Sequence, residues 1–401
     1  MPCADVTLIT PYPEVGVRHG GQSGVAAYSA HLAHAMADAG ARVEVVAPLF
    51  PGEPARREAD GPVTVQRAFP GDSAGTGAAL STALSRDSPV IHLQHEFFLY
   101  GGATSTPRLA HGLQTLRRRR RGAVATMHQV VDPASVDRAF TDLHRVRIPA
   151  WAARRGLATV QRWLLRSADR VLVHEPEFAD VLPGASVVPL GIEQPAPSED
   201  RETSRRAVGL TSDRLAVLCF GFLAPYKGLE TALEAARLAG PAVDLVVAGG
   251  EHPRLVAGGD SYHEQLRERY GAVARFTGRV PEADVATWFR AADVAAFMYP
   301  RPFSSSGALA LAVAHETPIL ASPELARTAG LPASLTVARE PQAVADRWRE
   351  LAADPVQLHS MRADTARLAE SRRWPAVAAA HLELYEEVSR ERSARRRTRR
   401  P

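Results

Sequence analysis

The sequence predicts an α/β chain of two domains of similar size, each a parallel sheet with helices on both faces. Three observations carry that prediction. The chain has 401 residues, more than one hydrophobic core ordinarily organises. Short apolar runs alternate with helix-periodic segments, the strand–helix–strand rhythm of a covered parallel sheet. That rhythm breaks over residues 193–206, a polar stretch with Pro195 and Pro197 and no apolar periodicity, and then restarts. The break reads as a linker. With 45% hydrophobic and 23% charged residues the composition is that of a packed protein.

The first domain, 1–195, opens with a buried-strand run at 6–10. Val25, Tyr28, Leu32, Met36 and Ala39 then recur at helical spacing, and Gly40 stands where a helix C-cap belongs. Residues 43–47 form the next strand, followed by candidates at 90–93, 123–127, 171–174 and 187–190. The second domain, 196–373, repeats the scheme. A strand at 215–220 leads to a helix with Leu229, Leu233 and Ala236 that ends at Gly240, and strands follow at 243–248, 273–276, 294–298 and 319–321. A last helix at 374–392 lines up Val377, His381, Leu384 and Val388, and 393–401 is a basic tail expected to be disordered.

Several classes of function are excluded at this level. Cys3 and Cys219 are the only cysteines, too few for a disulfide framework or a structural zinc site. The start of the chain has no basic segment followed by an apolar one, and no run is long enough to span a bilayer, so the expected location is the cytoplasm. Net charge is +4, with arginines concentrated at 117–121 and 395–400. These runs read as a solvated helix end and a frayed terminus that suit at most a weak peripheral contact with phospholipid. Without interleaved aromatics they do not suit nucleic acid. Oligomeric state leaves no mark in the sequence.

Among 48 basic residues there is a single lysine, Lys227. It follows a strand and, with Gly228, opens a helix, where free N–H groups and the positive end of the helix dipole welcome an anion. A compact ammonium there suits a diphosphate. Ser304, Ser305, Ser306 and Gly307 precede an apolar segment, 308–314, and could form a second anion cradle of hydroxyls and backbone N–H groups. The glycines at 20–24 resemble a dinucleotide fingerprint. They begin ten residues after Thr10, however, and the second strand ends at Ala47-Pro48 without an acidic residue for a ribose. His92, His95 and Glu96 lie at one strand end and His128 at another, positions that face the ligand crevice of a parallel sheet. Their spacing is not that of a metal site. No Asp-x-Asp triplet occurs, which points to metal-independent chemistry.

Taken together these motifs resemble the large retaining glycosyltransferase family 4. The matching segments are 21–32 (GQSGVAAYSAHL), 95–102 (HEFFLYGG), 125–128 (ATMH), 188–192 (VPLGI), 220–230 (FGFLAPYKGLE), 276–280 (FTGRV) and 306–318 (SGALALAVAHETP). The resemblance implies the GT-B architecture, two Rossmann-like domains with parallel sheets facing across a cleft, and the branch of the family with a Ser-Gly phosphate loop. It implies that Lys227 binds the donor diphosphate with Ser305, Ser306, Gly307 and Ala308, and that Arg279 and Val280 line the base. Gly221 and Gly250 would also lie on the donor side. Gly24 would let the first loop approach donor and acceptor, His128 would touch the transferred sugar, and Glu96 would join His128 and Lys227 as a catalytic candidate. The implied activity is hexosyl transfer with retention, from a nucleotide diphosphate sugar, UDP-linked before GDP-linked, to a small-molecule, glycan or lipid-linked hydroxyl. The donor is a co-substrate, and no resident cofactor is implied. A nucleotide-sugar epimerase and a non-catalytic nucleotide-sugar binder share the architecture. Three positions depart from the family pattern. Phe303 and Leu311 stand where glutamates are frequent, Phe222 where an arginine is, and Glu316 where a glycine is usual.

Overall fold

The computed structural model describes residues 5–17, 24–71, 75–97, 99–100, 105–119, 121–143, 146–195, 200–210, 213–251 and 261–397. Contacts divide the chain into two units. The first comprises Met1–Gly191, Phe303–Ser305 and Arg372–Pro401, and the second comprises Ile192–Pro302 and Ser306–Ser371.

The first unit begins with β1 (Val6–Ile9), α1 (Gly24–Asp38), β2 (Val43–Pro48), β3 (Arg56–Asp60), β4 (Val63–Phe69) and α2 (Gly75–Leu84). It continues with β5 (Val90–His95), α3 (Ser105–Arg118), β6 (Gly122–Met127), α4 (Arg138–Leu143) and α5 (Ala150–Ser167). β7 (Arg170–Val173), α6 (Pro176–Val181) and β8 (Ser186–Val187) complete the series. The sheet order is β3-β4-β2-β1-β5-β6-β7-β8. Val6 pairs with Val43 on one side and Val90 on the other, and every pairing is parallel except that of β3 with β4. Alternation along the strands supplies two apolar layers. Leu8 and Val45 enter one with α1, while Ile9 and Val46 enter the other with α2 and α3.

Two differences from the sequence expectation have physical causes. The apolar alternation of the hairpin β3–β4 is broken because its inward row carries a charge. Val63, Val65, Arg67 and Phe69 are all buried, and the Arg67 guanidinium donates to Glu58 Oε1 (2.6 Å) and to the carbonyls of Tyr12 (3.1 Å) and Pro13 (2.6 Å). The strand expected at 187–190 is only Ser186–Val187, because beyond Val187 the chain leaves the sheet edge after one more bond, Val188 N–H to Val173.

The second unit contains α7 (Arg201–Ala207), β9 (Leu215–Phe220), α8 (Leu229–Ala239), β10 (Val243–Ala248), α9 (Tyr262–Tyr270), β11 (Ala274–Gly278) and α10 (Glu282–Ala291). It ends with β12 (Val294–Phe297), α11 (Gly307–Ala314), β13 (Ile319–Ala321), α12 (Pro323–Ala329), α13 (Pro341–Ala353) and α14 (Pro355–Glu370). Its sheet, β11-β10-β9-β12-β13, is parallel throughout. The expected linker at 193–206 is corrected in part. Asp200 caps α7 by accepting from the Thr203 N–H (2.8 Å), and Arg205 is buried, donating to Asp293 (2.9 Å), which also accepts from the Ala216 N–H (2.8 Å). A polar-looking helix is thus anchored by one buried ion pair, which no apolar periodicity announces.

The last helix, α15 (Trp374–Arg397), belongs to the first unit and runs past residue 392 through Arg397. Val377, Ala378, Leu384, Tyr385 and Val388 enter the α1 core layer. The Trp374 ring fills the space beside Gly191, where a Cβ would come within 2.4 Å of it.

Candidate active site

In the second unit the functional positions gather at the carboxyl ends of β9, β10, β11 and β12, the ligand-facing edge of a parallel sheet. β9 ends at Gly221, whose φ of +105° lets the chain turn without a side chain. A Cβ at Gly221 would sit 2.7 Å from Lys227 Nζ and 3.5 Å from Ala308 Cβ. Lys227 ends a 3-10 turn, Pro225–Lys227, and Gly228 follows in the left-handed region as the N-cap of α8. A Cβ at Gly228 would strike the Met298 carbonyl at 1.9 Å, so only glycine allows α8 to start there.

The Lys227 side chain is half-buried in a small pocket lined by Cys219, Phe220, Leu229, Met298 and Tyr299. Burial pulls its ammonium below the usual lysine range, and no carboxylate among the described residues offsets its charge. Nζ lies 5.6 Å from the centre of the Tyr299 ring, and the Tyr299 hydroxyl is 3.0 Å from Ser306 Oγ. Burial pushes that phenol up to about 12. Ser306 caps α11 by accepting from the Leu309 N–H (3.2 Å). Helix geometry leaves the N–H groups of Gly307 and Ala308 without a carbonyl inside α11. Gly221, Lys227, Ser306, Gly307 and Ala308 therefore form one local cluster, with Tyr299 added.

Gly250 and Arg279 form a second pair on the same edge, since a Cβ at Gly250 would lie 3.3 Å from Arg279 Cβ. Arg279 is exposed and Val280 half-buried beyond β11. Ser305 falls with the first unit, apart from Ser306. Phe222 is half exposed. Phe303, at a frequent glutamate position, packs with Val131, Val136 and Phe140, so its role is apolar.

In the first unit the strand ends carry histidines. His128, 8% exposed, lies beyond β6. Its Nε2 is 2.8 Å from Gln94 Oε1, and its Nδ1 is 3.1 Å from His174 Nε2. His174 Nδ1 lies 2.9 Å from the Val188 carbonyl. On the other side Gln94 Nε2 is 3.3 Å from His92 Nε2, which is 2.8 Å from Thr126 Oγ1, and His92 Nδ1 is 2.6 Å from the Tyr385 hydroxyl. The Val188 carbonyl only accepts, so His174 donates from Nδ1. A neutral His174 then accepts at Nε2, His128 donates from Nδ1, and Gln94 must offer its N–H to His128 after a half-turn about χ3. The amide as placed would instead require either His128 or His174 to be an imidazolium. Burial argues for the neutral chain. It holds His128 and His92 well below 6.5 and His174 down to about 4, with mutual repulsion adding to the effect at His128.

Tyr28 packs edge-on to His128, ring centres 4.9 Å apart. Glu175 is buried, and burial raises its carboxyl against the pull of Arg372 at 3.7 Å. Glu96 accepts from the Gln129 amide (2.9 Å). His95 is buried and held down to about 4. Gly24 opens α1 with open space where a Cβ would go, and the glycine loop before it, 18–23, lies outside the described residues. No group of three or more potential ligands for a metal ion occurs among the described residues. No helix among them is long and apolar enough to cross a membrane.

Tyr299, Gln94 and His174 are absent from the sequence-based candidates. His174 ends the expected strand at 171–174 and Tyr299 follows the one at 294–298, so the strand-end rule that singled out His128 could have found both. Gln94 could not be found that way, because it points from within β5.

Two α/β units, with an anion-ready cluster at the sheet edge of the second, suit an enzyme that handles a phosphate-bearing substrate. Two family models match the chain: Glycosyltransferase Family 4 over residues 22–192, and Glycosyl transferases group 1 over residues 200–365. The chain belongs to glycosyltransferase family 4, a family of sugar-transferring enzymes with the GT-B architecture. It is 30% identical over 258 residues to a D-inositol 3-phosphate glycosyltransferase of Streptomyces avermitilis, covering 55% of this chain and 52% of that one. The chain thus matches about half the length of that relative. Among solved structures, the sucrose-phosphate synthase of Thermosynechococcus elongatus superposes with TM-score 0.66 at 20% identity, over 96% of this chain and 98% of the other. The HepE protein of Anabaena, in complex with UDP and glucose, gives 0.67 at 15% identity, over 96% and 99%. At these identities both show a shared fold.

Proposed function

We propose that this enzyme moves a hexosyl group from a nucleoside diphosphate sugar, UDP-linked in preference to GDP-linked, to an acceptor hydroxyl, with retention and without a metal ion. The observation that carries the proposal is the half-buried ammonium of Lys227 beside the N–H groups of Gly307 and Ala308, which have no carbonyl partner inside α11. A cation withdrawn from water without a carboxylate calls for an anion to complete it. Two adjacent N–H groups and a helix dipole select a phosphate-like one. Charge that develops on the leaving diphosphate is then met by a preorganised cation and fixed dipoles, the arrangement that stabilises a transition state most.

The HepE complex with UDP and glucose supports a uridine donor, and the inositol-phosphate relative supports a polyol-like hydroxyl acceptor. Family membership supports retention. In the first unit the neutral histidine chain holds the His128 ring fixed. Both of its nitrogens are engaged by protein partners, so a sugar contact through the ring must replace Gln94 or His174.

The test is to titrate UDP and GDP into the enzyme by calorimetry and to follow UDP- and GDP-hexose consumption with and without acceptor hydroxyls and EDTA. The expected outcome is tighter UDP binding, acceptor-dependent turnover insensitive to EDTA, and a product with the donor's anomeric configuration. Consumption of donor without any acceptor would replace transfer by epimerisation or hydrolysis. Abolition by EDTA with rescue by magnesium would overturn the leaving-group chemistry.

A further inference from the structure

We propose that the solvent face of α5, together with Arg118 and Arg119 at the end of α3, is a docking surface for an anionic lipid bilayer. This proposal is independent of the donor site and uses residues that the transfer reaction does not.

α5 is strongly one-sided. Ala153, Gln161, Leu164 and Ser167 are buried, so the core-facing stripe is accounted for. The opposite face carries Trp151, Arg155, Arg162 and Arg166, which the steps of four, seven and four residues place on one stripe, with Trp163 at its border. Trp151 is 71% exposed, Trp163 40%, and Ile148, just before the helix, 51%. Single exposed apolar side chains are ordinary. Here two indoles sit about 18 Å apart along one helix, with exposed arginines between them. No acidic residue occurs from Leu143 through Ala168. A basic helix face ending in amphipathic rings is built to lie in a membrane interface, rings among the headgroups and guanidinium groups on lipid phosphates.

The fold extends this face. α3 packs beside α5 and exposes Arg118 and Arg119. α15 reaches the same place: Arg392 Nη1 donates to the Arg117 carbonyl (2.8 Å), and Arg392 and Arg117 both pair with Asp169. Arg117 of α3 and Arg392 of α15, distant in the sequence, therefore meet, and the carboxylate between them is already neutralised. A nucleic acid would be drawn by the same charge, but two indoles about 18 Å apart with no other aromatic residue on α5 are too sparse for a base-stacking platform, which favours the bilayer.

Flotation of the full chain with phosphatidylcholine vesicles, alone or with an equal part of phosphatidylglycerol, tests the proposal. The expected result is partition at least about tenfold stronger into the anionic vesicles, reversed by molar salt. The triple variant Arg155→Glu, Arg162→Glu, Arg166→Glu should lower partition at least about tenfold. The double variant Trp151→Ser, Trp163→Ser should lower it severalfold and remove quenching of tryptophan fluorescence by lipids brominated near the headgroup. Both variants should keep the wild-type UDP affinity and unfolding midpoint. Equal partition into both vesicle types, undiminished binding by either folded variant, or tighter binding to duplex DNA than to anionic vesicles would overturn it.

Discussion

The two units treat their buried titratable groups in opposite ways. In the second, Lys227 is a half-buried cation with no carboxylate among the described residues to balance it. In the first, His92, His128 and His174 are buried more deeply than Lys227, and each ring nitrogen has a protein partner while burial holds all three neutral. An unpaired buried charge costs several kcal/mol, whereas a fully bonded neutral network costs little. A fold keeps the first arrangement where a ligand completes it and the second where a ring must not move. The contrast separates a site that binds from a site that positions.

Removing the charge should have the largest effect. Lys227→Ala is expected to lower kcat by ~100-fold or more, the scale of losing one preorganised group on a developing anion. UDP affinity should fall with it. Lys227→Arg should restore little, because a planar fork does not fit a pocket closed by Tyr299 and the Gly221 backbone. Steady-state rates for the alanine variant within a factor of two of wild type would remove the diphosphate from this site.

The positioning side should break differently. His128→Ala is expected to leave the UDP dissociation constant unchanged within about twofold while cutting kcat by roughly tenfold or more, the signature of an interaction expressed in the transition state. Calorimetry on the variant reads the first quantity and turnover the second. A parallel loss of both would abolish the division between binding and positioning.

The neutral chain also sets a pH window. His174 of this chain, and the buried His381 of α15 whose ring lies 5.7 Å from that of His92, are held at about 4 in the folded protein against about 6.5 when unfolded. Between these values the unfolded chain binds protons that the folded chain refuses, so stability is full above pH 6.5 and falls as pH drops toward 4. Each ring can account for up to about 3 kcal/mol of that loss. Unfolding midpoints measured at pH 7, 6 and 5 should decline with an onset below 6.5. A flat profile down to pH 5 would mean that these rings are charged or exposed in the folded state.

The contrast also explains what was legible in the sequence. The parallel sheets were visible because their strands are apolar on both faces, and Lys227 because one lysine among many arginines stands out at a strand end. Arg67 and Arg205 hid β4 and α7, since a buried ion pair puts charge where periodicity expects carbon. The histidine chain was only half visible. Strand-end position marks His128, but the partners Gln94, His174 and Tyr385 come from three other elements, and only the folded sheet and α15 bring them together.

The smallest expected effect concerns Glu316, the departure from the family that the backbone explains. It is the one non-glycine residue with positive φ among the described residues, at +52°. It follows α11 at the position where the chain must turn left-handed to close the helix. The Thr317 N–H reaches back to the Ala312 carbonyl (3.0 Å) and the Glu316 N–H to Val313 (3.1 Å), the paired bonds of a Schellman cap. A side chain in that conformation costs about 1 kcal/mol relative to glycine, partly offset by the greater freedom of glycine in the unfolded chain. Glu316→Gly should therefore raise stability by at most about 1 kcal/mol. It should leave UDP affinity unchanged, because the cap lies at the far end of α11 from Ser306. Denaturant unfolding compared with UDP calorimetry on the same variant measures both. A variant that unfolds more easily, or that loses UDP affinity, would show that the glutamate side chain, not the turn, is what this position requires.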